Sequence, residues 1–353
     1  MIRFAWLQCR TQNVLAVGAL VLLAIVLAVT GPHLVHLYDT DVATCGAHGD
    51  CSTAITGFLR NDNTLRAWLG ILVIVTPGII GIFWGAPLVA RELETGTYRL
   101  AWTQSVTRSR WLGVKLGLIG LAGIAVAALL SLMVTWWASP IDRVNANRFT
   151  PGVFDERGIV AIGYAAFGFA LGVGAGVLIR RSVPAMATTL GAFLGTRLAF
   201  TYWVRPHLVA PAHLSVALNP TSTGYGSTNS GPATLMPNPP NIPNAWIYST
   251  HIVDKLGHGL TAQLLARACP KLGISTGGPP PGSGHSGTTQ VPAGVQAALQ
   301  DCVTKVGATF HEVVTYQPAD RYWTFQWYET AIFLGAALVL AGSCLWWIRR
   351  RFL

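Results

Sequence analysis

Long apolar runs separated by short polar segments dominate the pattern of this chain. A helix needs about 20 predominantly apolar residues to cross the hydrocarbon core of a bilayer. The runs reach that length, so the pattern predicts six spanning helices. They cover residues 14–35, 67–90, 111–138, 158–179, 183–204 and 329–348.

Composition supports placing these runs in lipid. The chain is 52% hydrophobic and only 11% charged, whereas soluble domains have about a quarter of their residues charged. The first run exceeds the roughly 7–15 residues of a signal-peptide core, and no clear A-x-A cleavage site follows it, so we interpret it as a retained helix. The predicted fold class is an all-α polytopic membrane protein with six transmembrane helices.

The charge distribution predicts the orientation of the chain. With both termini in the cytoplasm, the inner side holds twelve of the 24 Lys and Arg residues and only two acids, Glu92 and Glu94. The formal net charge of +10 then lies wholly inside, as the positive-inside rule requires. The basic character therefore indicates membrane topology and contact with anionic lipids. No segment interleaves basic and aromatic residues as a single-strand binder does, so no nucleic-acid partner is expected.

Four segments follow from this topology. Residues 1–13 form either a short helix in the inner interface or a disordered start. Residues 14–204 hold the first five spans, with a cytoplasmic loop over 91–111. Residues 205–328 form a large extracellular cap between spans five and six, and residues 329–353 hold the last span and a basic cytoplasmic tail.

The predicted extracellular side contains four of the six cysteines. Cys45 and Cys51 lie in the first outer loop, and Cys269 and Cys302 lie in the large one. An oxidising compartment favours two disulfides; the alternative is that all six cysteines are reduced. Within the cap, the Pro- and Gly-rich residues 218–244 are expected to form hardly any regular element. Residues 256–268 and 291–306 are expected to form two short helices.

Nucleotide-binding P-loop and zinc-binding motifs are absent from the sequence. It has no G-x-x-x-x-G-K-[ST] or H-E-x-x-H motif, and its nine histidines show no metal-ligand spacing. We therefore expect neither an enzyme nor a metal or cofactor held by this chain. Arg197 is the one charge in the interior of a predicted span, since Lys115 and Glu329 lie near the ends of theirs. It either snorkels to the outer surface or lines a polar pathway for cargo, with Glu329 as its partner.

The cytoplasmic loop 91–111 mixes acids, arginines and aromatic residues between two apolar runs. One interpretation is a positive-inside loop whose aromatic residues dip into the interface. The other is a surface held by another protein, with a turn at Gly96. Its candidate contact residues are Glu92, Glu94, Gly96, Thr97, Tyr98, Trp102 and Arg108.

The order of residues in this loop resembles the inner loop of the second class of ABC exporter permeases. Members often carry Glu-x-x-x-Gly-Thr at its start and an ending similar to Pro-Val-Ser-Arg. Here Glu92 precedes Gly96-Thr97, and the loop ends in Ser-Val-Thr-Arg108, with Ser105 where many members have proline. The six-span plan is also similar, although the outer excursion is longer than usual. The whole pattern resembles permeases common in high-GC Gram-positive, actinobacterial cells.

The resemblance implies a permease subunit in the bacterial cell membrane that docks on a separate ABC ATPase. The loop after span two would be a coupling helix, ATP and Mg would bind to the ATPase, and a second permease chain would complete a homodimer or heterodimer. Export follows from the resemblance, and the scarcity of charge in the spans favours a hydrophobic or amphipathic cargo. The alternative is a non-transporting sensor or assembly subunit whose cap binds a ligand or an envelope partner.

Overall fold

The computed structural model describes residues 2–45, 51–96, 107–144, 148–219, 223–226, 234–237, 242–270 and 293–351. The chain forms two compact units. We call the first the membrane unit and the second the extracellular unit, and the words extracellular, inner and outer all follow the predicted orientation. The membrane unit comprises Met1–Val209 and Asp320–Leu353, and the extracellular unit comprises Ala210–Ala319.

The membrane unit is built of helices. Its α-helices are α1 (Ile2–Leu37), α2 (Ser52–Asn61), α3 (Asn63–Ile79), α4 (Ala86–Thr95), α5 (Arg108–Trp137), α6 (Ser139–Val144), α7 (Pro151–Glu156), α8 (Val160–Ile179), α9 (Ser182–Ala199) and α12 (Tyr322–Arg351). Three π-helical segments continue or join them: Tyr38–Ala43, Ile80–Gly85 and Phe200–Val204.

The predicted polytopic helical class is confirmed. Among the described residues, five helical stretches are long and apolar enough to cross a membrane: Thr11–Ala43, Asn63–Thr95, Ser109–Trp137, Val160–Ile179 and Ala319–Arg350. The fifth predicted run, 183–204, forms α9, which is less apolar because it contains Thr188, Thr189, Thr196 and Arg197. It nevertheless packs into the bundle through Ala185, Thr189 and Phe193.

Two predicted boundaries differ from the structure. For residues 1–13 the sequence leaves either a short interfacial helix or a disordered start. In the structure α1 runs without a break from Ile2 to Leu37, so residues 2–13 are helical and continuous with the first span. No glycine or proline lies before Gly18 to interrupt it. The last span is predicted to begin at residue 329, whereas α12 begins at Tyr322, so the aromatic residues just before the predicted boundary are helical.

Helix α8 is the centre of the membrane unit. Nearly all of its residues are buried, and glycine lets its backbone approach the helices of span two closely, as small residues do in membranes. A Cβ atom on Gly172 would lie 2.1 Å from the carbonyl oxygen of Gly81, and one on Gly168 would lie 2.6 Å from that of Pro77. The π-helical segment Ile80–Gly85 begins three residues after Pro77, and prolines and π-helical turns are both common causes of irregularity in a helix.

The extracellular unit contains strands that the sequence did not predict. Its strands are β1 (Ala212–Ala217), β2 (Gly224–Gly226), β3 (Thr234–Met236), β4 (Trp246–Asp254) and β5 (Phe310–Gln317), and its helices are α10 (Ala262–Ala268) and α11 (Ala293–Gly307). One antiparallel sheet has the order β1-β5-β4, and β2 pairs with β3. The two helices agree with the predicted pair. The expectation of hardly any regular element over 218–244 is wrong for the short β2–β3 pair.

Candidate functional site

The most distinctive polar feature of the membrane unit is a buried cluster of five side chains, which we call the ion network. Asp155 comes from α7, Tyr164 from α8, Arg197 from α9 and Glu329 from α12, while Arg205 lies in the 3-10 turn Arg205–His207. The side chains of Arg205 and Glu329 are 0% exposed, and those of Arg197 and Asp155 are 11% exposed. Hydrogen bonds and ion pairs within the network thus join four helices and one turn.

Arg205 contacts three of the other four members of the ion network. Its Nε donates to Glu329 Oε2 at 2.8 Å and its Nη2 donates to Glu329 Oε1 at 2.9 Å, the two-pronged geometry that strengthens an arginine–carboxylate pair. Nη2 also contacts Asp155 Oδ1 and lies 3.2 Å from the Tyr164 hydroxyl. Tyr164 donates its own proton to Glu329. Nη1 of Arg205 has no hydrogen-bond partner among the described residues.

The structure brings together the two residues that the sequence proposed as pathway partners. Arg197 Nη1 donates to Glu329 Oε1 at 3.3 Å, and its Nη2 donates to Asp155 Oδ2 at 2.6 Å. The guanidinium carbon lies 3.4 Å from the centre of the Tyr164 ring, a cation–π position. Arg197 therefore turns into the bundle, and the interpretation that it snorkels outward is wrong.

The network balances two guanidinium groups against two carboxylates. Removing such groups from water is costly, and their mutual attraction offsets that cost only while all partners stay in place. The arrangement can therefore act as a lock between helices. It holds α7, α8, α9 and α12 together when paired, and a helix movement that separates any one charge leaves the others buried without compensation.

Gln326 positions the end of α7 that carries Asp155 within the ion network. Its Nε2 donates to the carbonyl oxygens of Phe154 at 3.2 Å and Arg157 at 3.0 Å. Its Oε1 accepts from the backbone amides of Ile159 and Val160, both at 3.0 Å. The first amides of a helix have no partner within the helix, so this one buried amide side chain completes the start of α8 and fixes it to α12.

A second, looser charge group lies next to Asp155 in the sequence. Arg157 Nε lies 3.4 Å from Asp142 Oδ2, and its Nη1 lies 3.6 Å from Glu156 Oε2. Arg148 lies 3.5 Å from the same Asp142 oxygen. Burial raises the pKa of Glu156, and the nearby Arg157 opposes that shift. These residues lie in the 139–157 connection, which the sequence gives no reason to regard as buried.

At the inner end, the structure gives Glu92 a role different from the predicted one. Its side chain is only 10% exposed and pairs with the buried Lys115 of α5, whose Nζ lies 4.7 Å from the Trp111 ring centre. Glu92 therefore fixes α4 to α5 and is not presented as a contact surface. The amphipathic pattern of α4 explains the correction, because residue 92 faces the bundle with Leu88 and Val89.

The exposed acid of the same helix contacts another element. Glu94 Oε2 accepts from the Ser182 backbone amide at 3.0 Å and from the Ser182 hydroxyl at 2.9 Å. Helix α4 ends where Gly96 adopts a left-handed φ of 73°, which is the turn that the sequence predicted for this glycine. Helix α5 begins at Arg108. Thr97, Tyr98 and Trp102 lie outside the described residues, as does the side chain of Arg108.

The extracellular unit contains a cavity of about 720 Å³ beside strand β4. His251, Thr250 and Thr261 contribute polar groups to its lining, and Ile252 and Leu265 contribute apolar surface. A turn after β4 borders it. There the carboxylate of Asp254 accepts hydrogen bonds from the backbone amides of His258 and Leu256, and these bonds, the one from His258 foremost, lower the pKa of Asp254.

Two disulfide bonds are present among the described residues. Cys45 is bonded to Cys51, and Cys269 is bonded to Cys302, in the two pairs that the sequence favoured. The second bond joins the end of α10 to α11. Within the described ranges, no group of three His, Cys, Asp or Glu residues could hold a metal ion.

Three members of the ion network were missed from sequence. Arg205 and Asp155 lie just outside predicted spans, where a charge is ordinary, and Tyr164 looks like a packing residue within an apolar run. The signal available in the sequence was charge balance near the predicted outer boundary. Arg197 needs a carboxylate in a low-dielectric environment, and Asp155 and Glu329 are acids near the same predicted outer boundary.

Comparison with known proteins gives one match. A family described as ABC-2 membrane transporter related matches residues 17–205. The match covers more than half of the chain and includes Asp155, Tyr164, Arg197 and Arg205, while Glu329 and the extracellular unit lie beyond it. No curated protein and no solved structure matches the chain.

Proposed function

Since this chain belongs to the ABC-2 membrane transporter related family, and is thus a permease-type, multi-pass membrane subunit, we propose that it works in an ATP-driven exporter. A separate ABC ATPase binds ATP and Mg, because this chain has no P-loop. The exporter operates in the bacterial cell membrane and moves a hydrophobic or amphipathic compound outward.

The observation that carries the proposal is the family match together with the geometry at the inner end of span two. Helix α4 stops at the left-handed Gly96, and the chain re-enters the bundle at Arg108. The intervening segment is therefore anchored at both ends by helices that are packed in the core. An ATPase that grips this segment differently in its open and closed states would bias the permease between two conformations.

A second permease chain is part of the proposal, and α9 offers a surface for it. A helix that faces only lipid has no need of small or hydroxyl side chains, whereas helix–helix contacts in membranes favour them. The exposed side of α9 includes a G-x-x-x-G pair, and no heavy atom lies within 4 Å of a Cβ built on either glycine. The exposed small and polar residues are Thr188, Gly191, Ala192, Gly195 and Thr196.

The nature of the cargo follows from the balance of charge in the ion network. Arg197 and Glu329 remain the proposed pathway residues, but each is already paired. A bundle whose buried charges neutralise one another offers no net charge to a strongly ionic solute. This favours an uncharged or amphipathic compound.

We predict that Gly96→Pro uncouples the ATPase from the permease. Proline fixes φ near −65°, which is incompatible with the φ of 73° at this position, so the segment would leave α4 in another direction. ATP hydrolysis by the reconstituted complex should fall about tenfold, the rate equivalent of roughly 1.4 kcal/mol. The measurement is phosphate release in vesicles containing the complex.

Gly96→Asn is the matched control, because asparagine tolerates the left-handed conformation and no heavy atom of the described residues lies within 4 Å of a Cβ at this site. It should retain most of the activity. Equal amounts of all three chains in the membrane would show that insertion is intact. Wild-type activity in Gly96→Pro would contradict the coupling assignment.

A second candidate function is favoured by the cavity of about 720 Å³ in the extracellular unit. Its mixed lining is typical of small-molecule sites, and a sensor or assembly subunit would bind its ligand there. An ATPase gene beside this one favours transport, whereas a neighbouring histidine kinase gene without an ATPase favours the sensor.

A further inference from the structure

The inner ends of α4 and α9 are joined by the carboxylate of Glu94. One oxygen accepts both the backbone amide and the hydroxyl of Ser182, the first residue of α9. A carboxylate at a helix N-terminus satisfies an amide that has no partner within the helix, and its charge is favourable there. Arg181, the N-cap residue of α9, makes no side-chain cap bond of its own. Glu94 thus caps α9 from another helix.

Small side chains form the buried centre of the α4–α9 contact, with the larger Met186 of α9 packed against its edge. Ala86 and Ala90 of α4 meet Ala185 of α9 in one buried cluster. Alanines give close contact but little interlocking, because interlocking depends on side chains that project into opposing grooves. The hydrogen bonds of Glu94 are therefore the directional link that fixes the position of α9 along α4.

Helix α9 connects this link to the ion network. It runs unbroken from Ser182 to Ala199 and carries Arg197 two residues before its end. At 1.5 Å per residue, the distance along the axis from Ser182 to Arg197 is about 22 Å. A rigid helix of that length passes a displacement from one end to the other. The π-helical segment Phe200–Val204 continues α9 and leads directly to Arg205. A shift of α9 therefore moves the backbone that carries both guanidinium groups of the network.

The two acids of α4 hold different neighbours. Glu92 ties α4 to α5 through Lys115, while Glu94 lies two residues before Gly96 and ties the same helix to α9. A force that enters α4 at its end therefore reaches α9 first through Glu94.

We propose that Glu94 is the positioning residue that transmits displacement of the 97–106 segment to α9, and through α9 to the ion pairs of Arg197. This inference rests on the proposed function, because it requires an ATPase to move the segment. Glu94 acts inside the permease, by holding Ser182, and not as a contact for the ATPase. When α9 shifts, Arg197 separates from Asp155 and Glu329, and the ion pairs that hold the ion network together break.

The test separates capping from transmission. Glu94→Ala removes both. Glu94→Ala combined with Arg181→Asp restores a cap from the N-cap position of α9, where aspartate is a preferred residue, but does not restore the link to α4. Glu94→Gln keeps an acceptor oxygen for Ser182 and is the matched control. Each variant is purified as the full chain with its co-purifying ATPase.

The readout is the distance between spin labels at Leu198→Cys on α9 and Trp327→Cys on α12. Both positions are exposed and flank the network, and remaining free thiols are replaced by serine. Distances between the two labels are measured by double electron–electron resonance, first without nucleotide and then with ATP plus vanadate. We expect a nucleotide-dependent shift in the wild type and in Glu94→Gln, and its loss in Glu94→Ala and in the double variant. ATPase co-purification should be the same in all four.

Each other outcome overturns the inference in an identifiable way. A shift that returns in the double variant would show that Glu94 is only a helix cap. A shift that persists in Glu94→Ala would show that α9 moves without this link. Loss of the ATPase from Glu94→Ala would make Glu94 a docking contact. Absence of a shift or of an ATPase in the wild type would reject the proposed function itself.

Discussion

Glu329→Leu is expected to destabilise the membrane unit by about 3–5 kcal/mol, the usual cost of removing one partner from a buried ion pair. The loss is large because Arg205 is 0% exposed and directs two donors at Glu329. Without that carboxylate, two guanidinium groups would face Asp155 alone. The measurement is the shift of the unfolding midpoint of the detergent-solubilised full chain.

The control for this prediction removes the charge on both sides. Glu329→Leu combined with Arg205→Met should recover much of the lost stability, because apolar residues of similar volume often replace a buried pair at little cost. Tyr328→Leu, on the exposed side of the same helix, should change the midpoint little. Equal midpoints for Glu329→Leu and Tyr328→Leu would show that the network does not hold the helices together.

Gly172→Ala is the second change with a large expected effect. The added methyl group would lie 2.1 Å from the carbonyl oxygen of Gly81 and 2.8 Å from the amide nitrogen of Ala86. Both are backbone atoms, so no rotamer change relieves the clash, and α8 must move away from span two. Overpacking of this kind costs about 1–3 kcal/mol or more, which again appears as a lower unfolding midpoint.

Gly335→Ala supplies the matched comparison in a membrane helix. No heavy atom lies within 4 Å of a Cβ at that position, and alanine has a higher helix propensity than glycine. Its midpoint should be unchanged or slightly raised. A Gly172→Ala chain as stable as Gly335→Ala would mean that α8 and span two do not approach as closely as the structure shows.

The helical membrane class followed from sequence because its cause is local. Apolar residues of sufficient length determine a spanning helix wherever they occur, and five of the six predicted runs have the length and hydropathy required. The remaining run forms α9, a helix whose threonines and Arg197 lower its hydropathy. The central position of α8 depends on its packing against other helices and was not predicted.

The ion network could be predicted only in part, because it depends on packing between distant segments. Arg197 and Glu329 were paired from sequence because a charge within a span requires a partner. Asp155 lies in the connection between predicted spans three and four, and Arg205 is separated from α9 by a π-helical turn. Their convergence depends on helix crossings that no short pattern encodes.

The contacts at the inner end of α4 could likewise be predicted only in part from the sequence. The sequence indicated a turn at Gly96, and the residue is left-handed, because glycine preference for that conformation is a local property. The partners of Glu92 and Glu94 were not predictable. Lys115 and Ser182 lie 23 and 88 residues away along the chain, respectively, and only the packing of α4 against α5 and α9 brings them into contact.

The central claim is that the 91–111 segment couples this permease to an ATPase, and co-purification tests it most directly. The full chain is extracted gently from its native membrane as the wild type, as Trp102→Ala, and as Trp346→Ala, which changes an exposed tryptophan of α12. We predict that a P-loop ATPase accompanies the wild type and Trp346→Ala and is depleted from Trp102→Ala. Absence of an ATPase from the wild type, or equal retention by all three chains, would contradict the account.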